Sequence, residues 1–179
     1  MKRFKIGEDE KLIIKLVGAG ILVVASLALP GLPLALKPFL MKRKQSGYKR
    51  ILKRLEEKNV IYLGGDKIKL TKKGKRLIRE MQIQDIQITK PAKWDKTWHL
   101  VSYDIPEHRK KERDWFAWTL KRLEFERIQK SLWVYPFDCK EEIALIAQEL
   151  KISPYVIYMN TDHLPRESKF INLFNLNNH

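Results

Sequence analysis

Tyr48, Ile51, Leu52 and Leu55 recur at i, i+3, i+4 and i+7, the spacing that lines one face of a helix. The other positions of that stretch are Lys49, Arg50, Lys53, Arg54, Glu56 and Glu57, so the predicted helix is apolar on one side and charged on the other. The period then changes. Val60-Ile61-Tyr62-Leu63 and Lys67-Ile68-Lys69-Leu70-Thr71 flank Gly64-Gly65-Asp66 and predict two short strands around a glycine turn. In the second strand Ile68 and Leu70 alternate with Lys67 and Lys69, which makes one packing face and one cationic face. Thr71 is placed to cap a closing helix through Leu77, Ile78 and Met81. Upstream, Leu34 to Arg43 predicts a short helix, joined to the amphipathic one by a turn near Gln45-Ser46-Gly47.

Residues 82–95 carry the chain across to a second pattern. Lys90-Pro91-Ala92-Lys93 should end any helix, so the boundary is expected near Pro91, dividing residues 1–90 from 91–179. Trp98 to Tyr103 has the aromatic and β-branched content of a strand and runs into the proline-marked Asp104-Ile105-Pro106-Glu107. His108 to Phe125 predicts a helix with Phe116, Leu120 and Leu123 on one stripe, widened by Trp115 and Trp118. Arg127 to Phe137 is extended and apolar on both faces, as one bent strand or two. Asp138-Cys139-Lys140-Glu141 has the form of a capping box for a helix to Leu150, and Tyr155 to Met159 is a last strand. The order β-α-β(β)-α-β is that of a ferredoxin-like unit, followed by a short tail from Asn160 to His179. The fold class expected is α+β.

Leu16 to Leu36 is a run of 21 residues without a charge, long enough to cross a bilayer or to serve as a signal peptide behind Lys2, Arg3 and Lys5. Against a span, Pro30 and Pro33 break its last third, and Glu8, Asp9 and Glu10 stand where a soluble helix carries acids. The reading favoured is a buried first helix over residues 8–29 of a cytoplasmic protein, with membrane contact left open.

Charge separates the halves further. Residues 1–93 hold 23 Lys+Arg against 8 Asp+Glu, while residues 94–179 hold 13 of each. Lys37 to Arg79 alone has 16 basic and 3 acidic residues, a field suited to a polyanion, with nucleic acid the leading candidate. Singly, each of these lysines is an ordinary solvated side chain; together they coincide with the helix-and-hairpin pattern. The single cysteine, Cys139, excludes an intrachain disulfide and suits a reducing compartment, and the four histidines show no metal-ligand spacing.

Two resemblances rest on these motifs. Helices followed by a basic hairpin and a further helix resemble the winged helix-turn-helix, and YKRILKRLEEKNVIYLGGDKIKLTKKGKRLI is similar to bacterial winged-helix repressors. The segment WHLVSYDIPEHRKKERDWFAWTLKRLEFERIQKSLWVYPFDCKEEI resembles the CRISPR-associated adaptation protein Cas-two. It resembles still more the PaaX-type repressors of phenylacetate degradation, in which a winged helix precedes a Cas-two-like domain. The resemblance implies a DNA-binding transcriptional repressor acting as a homodimer, with a Mg²⁺-dependent nuclease or adaptation protein as the alternative and no catalytic residue assigned. Gln45, Ser46 and Tyr48 then fall where base edges are contacted, and Lys49, Arg50, Lys53, Arg54, Lys67 and Lys69 where phosphates are, with Lys72 and Lys73 completing the DNA-binding set. Asp104 matches the Cas-two aspartate that can hold a divalent metal across a dimer; its other reading is a cap for the helix that follows. No other cofactor is implied.

Overall fold

The computed structural model describes residues 6–20, 45–64 and 67–176, and its contacts divide the chain into Met1–Gln82 and Ile83–His179. The expected short helix Leu34–Arg43, the turn residues Gly65 and Asp66, and all but the first residues of the apolar run lie outside the described residues. Among the described residues no helix is long and apolar enough to cross a membrane.

In the first unit α1 spans Glu8–Gly18, with three acids in its first turn and Ile13, Ile14 and Val17 buried. It is shorter than the helix expected to run to residue 29. The Ala19 amide donates to the Lys15 carbonyl at 2.9 Å and Gly20 takes φ +70°, a left-handed conformation that closes a helix and that glycine adopts without strain. α2 spans Gln45–Glu57, so the turn expected at Gln45-Ser46-Gly47 is helical. The chain turns out of α2 at Asn59, φ +55°, and the Val60 amide reaches back to the Leu55 carbonyl at 2.9 Å.

β1, Ile61–Gly64, pairs antiparallel with β2, Lys67–Leu70, in the register Ile61↔Leu70, Tyr62↔Lys69, Leu63↔Ile68 and Gly64↔Lys67. The alternation buries Ile61 and Ile68 and leaves Tyr62 and Lys69 outside. Thr71 caps α3, Lys72–Asp85: its Oγ1 accepts the Gly74 amide at 3.1 Å and donates towards the carbonyls of Asn59 and Val60 at 2.7 and 3.0 Å. A side chain at Gly74 would stand 2.2 Å from the Val60 carbonyl oxygen, so the helix approaches the base of the hairpin only because position 74 has none. Leu52, Leu55, Leu77 and Met81 close the first core around Ile13, Ile14, Val17, Val60 and Ile61. The last turn of α3 takes Ile83 into the second core. The division of contacts therefore falls inside this helix, ahead of Pro91.

The second unit has β3 Trp98–Tyr103, a 3-10 turn Glu107–Arg109, α4 Lys110–Arg122, β4 Glu126–Gln129, β5 Leu132–Tyr135, α5 Lys140–Glu149, β6 Val156–Thr161 and α6 Glu167–Leu173. The stretch left open as one strand or two is thus two. Its sheet runs β4-β5-β3-β6 with every neighbouring pair antiparallel. β3, in the interior, carries the fully buried Trp98 and Val101. The expected tail is structured as far as it is described: Asn160 and Thr161 extend β6, and α6 buries Phe170 while Glu167 accepts a 2.6 Å hydrogen bond from the Trp98 indole.

The expected capping box at Asp138 does not form. Cys139 is the N-cap of α5, and the Asp138 carboxylate accepts instead the Lys140 amide at 3.1 Å and the Tyr158 hydroxyl at 2.9 Å. Tyr158 Oη also lies 2.7 Å from Nδ1 of His99, a residue only 5% exposed. With the Tyr158 hydroxyl donating to Asp138, the imidazole hydrogen sits on Nδ1 and is donated to the Tyr158 oxygen, and Nε2 is buried without a hydrogen-bond partner among the described residues. Burial holds the His99 imidazole below its usual range, against the opposing pull of Asp138 and Asp95. Burial likewise pushes the Cys139 thiol up to about 12, which keeps it an inert thiol.

The sign of the pH dependence follows. Below the ordinary imidazole value of 6.5 the unfolded chain takes up a proton at His99 that the folded chain resists, so stability is full above that pH and falls as pH drops through it. All five tryptophans lie beyond residue 90, so their fluorescence reports the second unit. The unfolding free energy from urea titrations followed by tryptophan emission should fall between about pH 7 and pH 5, by up to about 1 kcal/mol per pH unit, and His99→Phe should flatten that window.

Candidate nucleic-acid interface

The first unit places its cations by the same periodicities that build its core. Leu52 and Leu55 turn inward from α2, which leaves Arg50, Lys53 and Arg54 exposed on its other side. Lys69 projects from the outward face of the hairpin, and Lys72, Lys75 and Arg76 are exposed on the first turns of α3. Gln45, Ser46, Tyr48 and Lys49 lie in the first turns of α2 and Lys67 opposite Gly64; their side chains fall outside the described residues.

Two of the expected phosphate contacts have partners within the protein. Arg54 Nε donates to the Glu10 carboxylate at 2.9 Å, and Lys58 Nζ binds the same oxygen at 3.0 Å. Lys73 Nζ donates to the Lys58 carbonyl at 2.8 Å. Glu10, only 2% exposed, also accepts the Gly7 amide at 3.0 Å. Burial works against its charge, but the Gly7 amide, Lys58 and Arg54 together outweigh burial and hold the carboxyl below the usual range. By sequence Glu10 is one of three equivalent acids at a helix start, and its partners stand 44 and 48 residues away, so no local pattern singles it out.

In the second unit a few charges are paired. Glu107 accepts Arg113 at 2.8 Å, which holds its carboxyl below the usual range, while Lys110 and Lys111 remain exposed. Asp104 is exposed, and its amide donates to the Tyr155 carbonyl at 2.9 Å. It does not cap the following turn: Pro106 is the N-cap, and no side chain bonds to that end. Among the described residues no group of three His, Cys, Asp or Glu side chains is placed to hold a metal, so Asp104 stands as one carboxylate per chain. Trp133 is buried with Arg127 over its ring at 4.6 Å, Trp115 is half-buried against the core, and Trp118 is 38% exposed.

Glu10→Ala would leave Arg54 and Lys58 without their shared carboxylate and the Gly7 amide without its acceptor. The first unit should lose about 2 kcal/mol of stability. This should appear as an earlier far-UV circular dichroism transition, with the transition reported by tryptophan emission unchanged.

Residues 91–170 match the family model of the PaaX protein central Cas2-like domain. No curated protein matches the chain. The match runs through the whole of the sheet β4-β5-β3-β6, both helices between its strands and the first half of α6. The second unit is therefore similar to the Cas2-like domain at the centre of PaaX proteins, the resemblance that the Asp-Ile-Pro-Glu and Gln-Lys-Ser-Leu-Trp-Val motifs lead one to expect.

Proposed function

We propose that the chain is a transcriptional repressor that binds duplex DNA as a homodimer, gripping it with a winged helix in the first unit and joining two copies through the Cas2-like second unit. The observation that carries this reading is the division of charge between the units. Met1–Gln82 holds 21 basic and 7 acidic residues, whereas Ile83–His179 holds 15 and 14. A compact unit with that excess, next to a nearly neutral one, is organised for a polyanion rather than merely for solubility.

The winged-helix reading is supported by the succession α2, β1, β2, α3, with Arg50, Lys53 and Lys69 outward. α2 is then the recognition helix and the hairpin the wing. The ferredoxin-like reading of the second unit is supported by its sheet order, in which β3 lies between β5 and β6. Dimerisation is supported by an open part of that sheet: Ile157 and Met159, paired to Ser102 and Leu100 on one face, are 60% and 40% exposed. Two copies joined there would present two recognition helices to a palindromic site. In this reading Asp104, alone or across the dimer with Mg²⁺, has no chemical step to perform.

Duplex affinity measured by fluorescence anisotropy should fall with salt, at a log–log slope of about −0.9 per phosphate contact. Lys49→Glu with Lys53→Glu should weaken binding to every duplex and flatten that slope, since phosphate contacts carry little sequence information. Lys110→Glu with Lys111→Glu, in the second unit, should leave both nearly unchanged. Equal weakening by the two pairs would overturn the assignment, and duplex cleavage that requires Mg²⁺ and Asp104 would support a nuclease instead.

A further inference from the structure

The outward face of the hairpin carries a feature that charge does not explain. Tyr62 is 61% exposed, the most exposed of the large hydrophobic side chains among the described residues. It stands directly opposite the exposed Lys69 in the β1–β2 register, so ring and amine share one face with side-chain origins about 5 Å apart. The next residue on that face of β1 is Gly64. A Cβ there would lie 2.4 Å from the Tyr62 ring edge, 3.1 Å from its Cζ and 3.2 Å from its hydroxyl oxygen. The ring therefore lies along the strand over the backbone of Gly64 rather than standing off into solvent, and the missing side chain is what admits it. The inward face of the same hairpin is conventional core, with Ile61 and Ile68 buried.

A large aromatic surface held flat and open to water, beside a cation, on a two-stranded ribbon in a strongly basic unit, suits a ligand that alternates apolar and anionic surface. The sugar–phosphate edge of DNA is such a ligand: deoxyribose and base edges offer apolar faces to a ring, and phosphates flank them at the reach of an amine. We infer that Tyr62 is a DNA contact, packing its ring against the sugar and base edge of the minor groove while Lys69 takes the neighbouring phosphate. This rests on the reading of the first unit as the DNA-binding unit and adds to it a non-ionic contact that the cations do not supply. A phenyl ring in place of the phenol would keep the contact, because the ring face and not the hydroxyl makes it. A displaced ring would lose it.

The test uses the full chain and a fluorescently labelled 30-base-pair duplex, with affinity measured across a range of salt concentrations. Tyr62→Ala should weaken binding about tenfold, the order of an aromatic contact with a nucleotide, while leaving the salt slope unchanged. Tyr62→Phe should bind like the wild type. Gly64→Ala, which keeps the tyrosine but pushes its ring aside, should weaken binding in the same salt-independent way. Lys69→Ala should weaken binding and reduce the slope by about 0.9. Unchanged circular dichroism and thermal midpoints would show that the exposed substitutions leave the fold intact. If the wild type binds the duplex with a steep salt slope and Tyr62→Ala and Gly64→Ala bind equally well, Tyr62 is not a DNA contact, although the first unit still binds DNA. If the wild type does not bind the duplex at all, both readings fall together.

Discussion

Like charge is the constraint that shapes the first unit. Twenty-one cations against seven acids in Met1–Gln82 repel one another, and a small core must overcome that repulsion as well as chain entropy. The unit answers with placement. Glu10 is carried inside, where its field is least screened, and it draws Arg54 and Lys58 of the α2 region towards α1. Glu56 turns back to the Leu63 amide at the start of the hairpin. Lys73 finds a carbonyl at the end of α2. Among the described residues Arg50, Lys53, Lys69, Lys72 and Lys75 stay exposed beside these local settlements and can meet a ligand, whereas Arg76, also exposed, pairs with Glu80 at 3.3 Å.

The Val60 carbonyl shows how such placement is made rigid. It accepts the Thr71 amide at 3.1 Å and the Thr71 hydroxyl at 3.0 Å, and it forms the wall against which Gly74 packs. Hairpin and closing helix thus meet at one backbone group, so the outward face of the strands inherits the order of the core beneath it. The second unit uses aromatic side chains to the same end: Trp98 meets Trp94 at 4.7 Å and Phe170 at 6.2 Å, both edge-on, and pins the last helix to an interior strand.

What the sequence made legible is what is local. The amphipathic face of α2, the alternation in β2, the Thr71 cap and the strand Trp98–Tyr103 each follow from residues within one or two turns of one another, and each is present. What escaped depends on distance along the chain. The clasp of Glu10 needs partners from another helix, and the role of Glu167 needs an indole 69 residues earlier. Asp138 looked like a cap because Glu141 follows it at the right spacing. In the fold a tyrosine from β6 competes for its carboxylate, and the helix starts one residue later. Of the candidate interface, the lysines were legible through their concentration. That Arg54 and Lys73 face inward partners was not, since solvated and engaged cations look alike in a sequence.

The ends of the helices have a consequence of their own. After α2, α4, α5 and α6 the chain turns through Asn59, Glu124, Lys151 and Asn175, each with φ between 55° and 66° and none of them glycine. An L-residue held there costs the native state on the order of 1 kcal/mol, least for asparagine. These corners are thus kept bent by what surrounds them, such as the Ile152 amide reaching the Ala147 carbonyl at 2.8 Å and the Lys151 carbonyl receiving Arg109 at 2.5 Å. Glycine at positions 124 and 151 would release that tension without touching either core. The molecule therefore sits below the ceiling its own architecture allows, with the slack stored at its corners rather than in its interior.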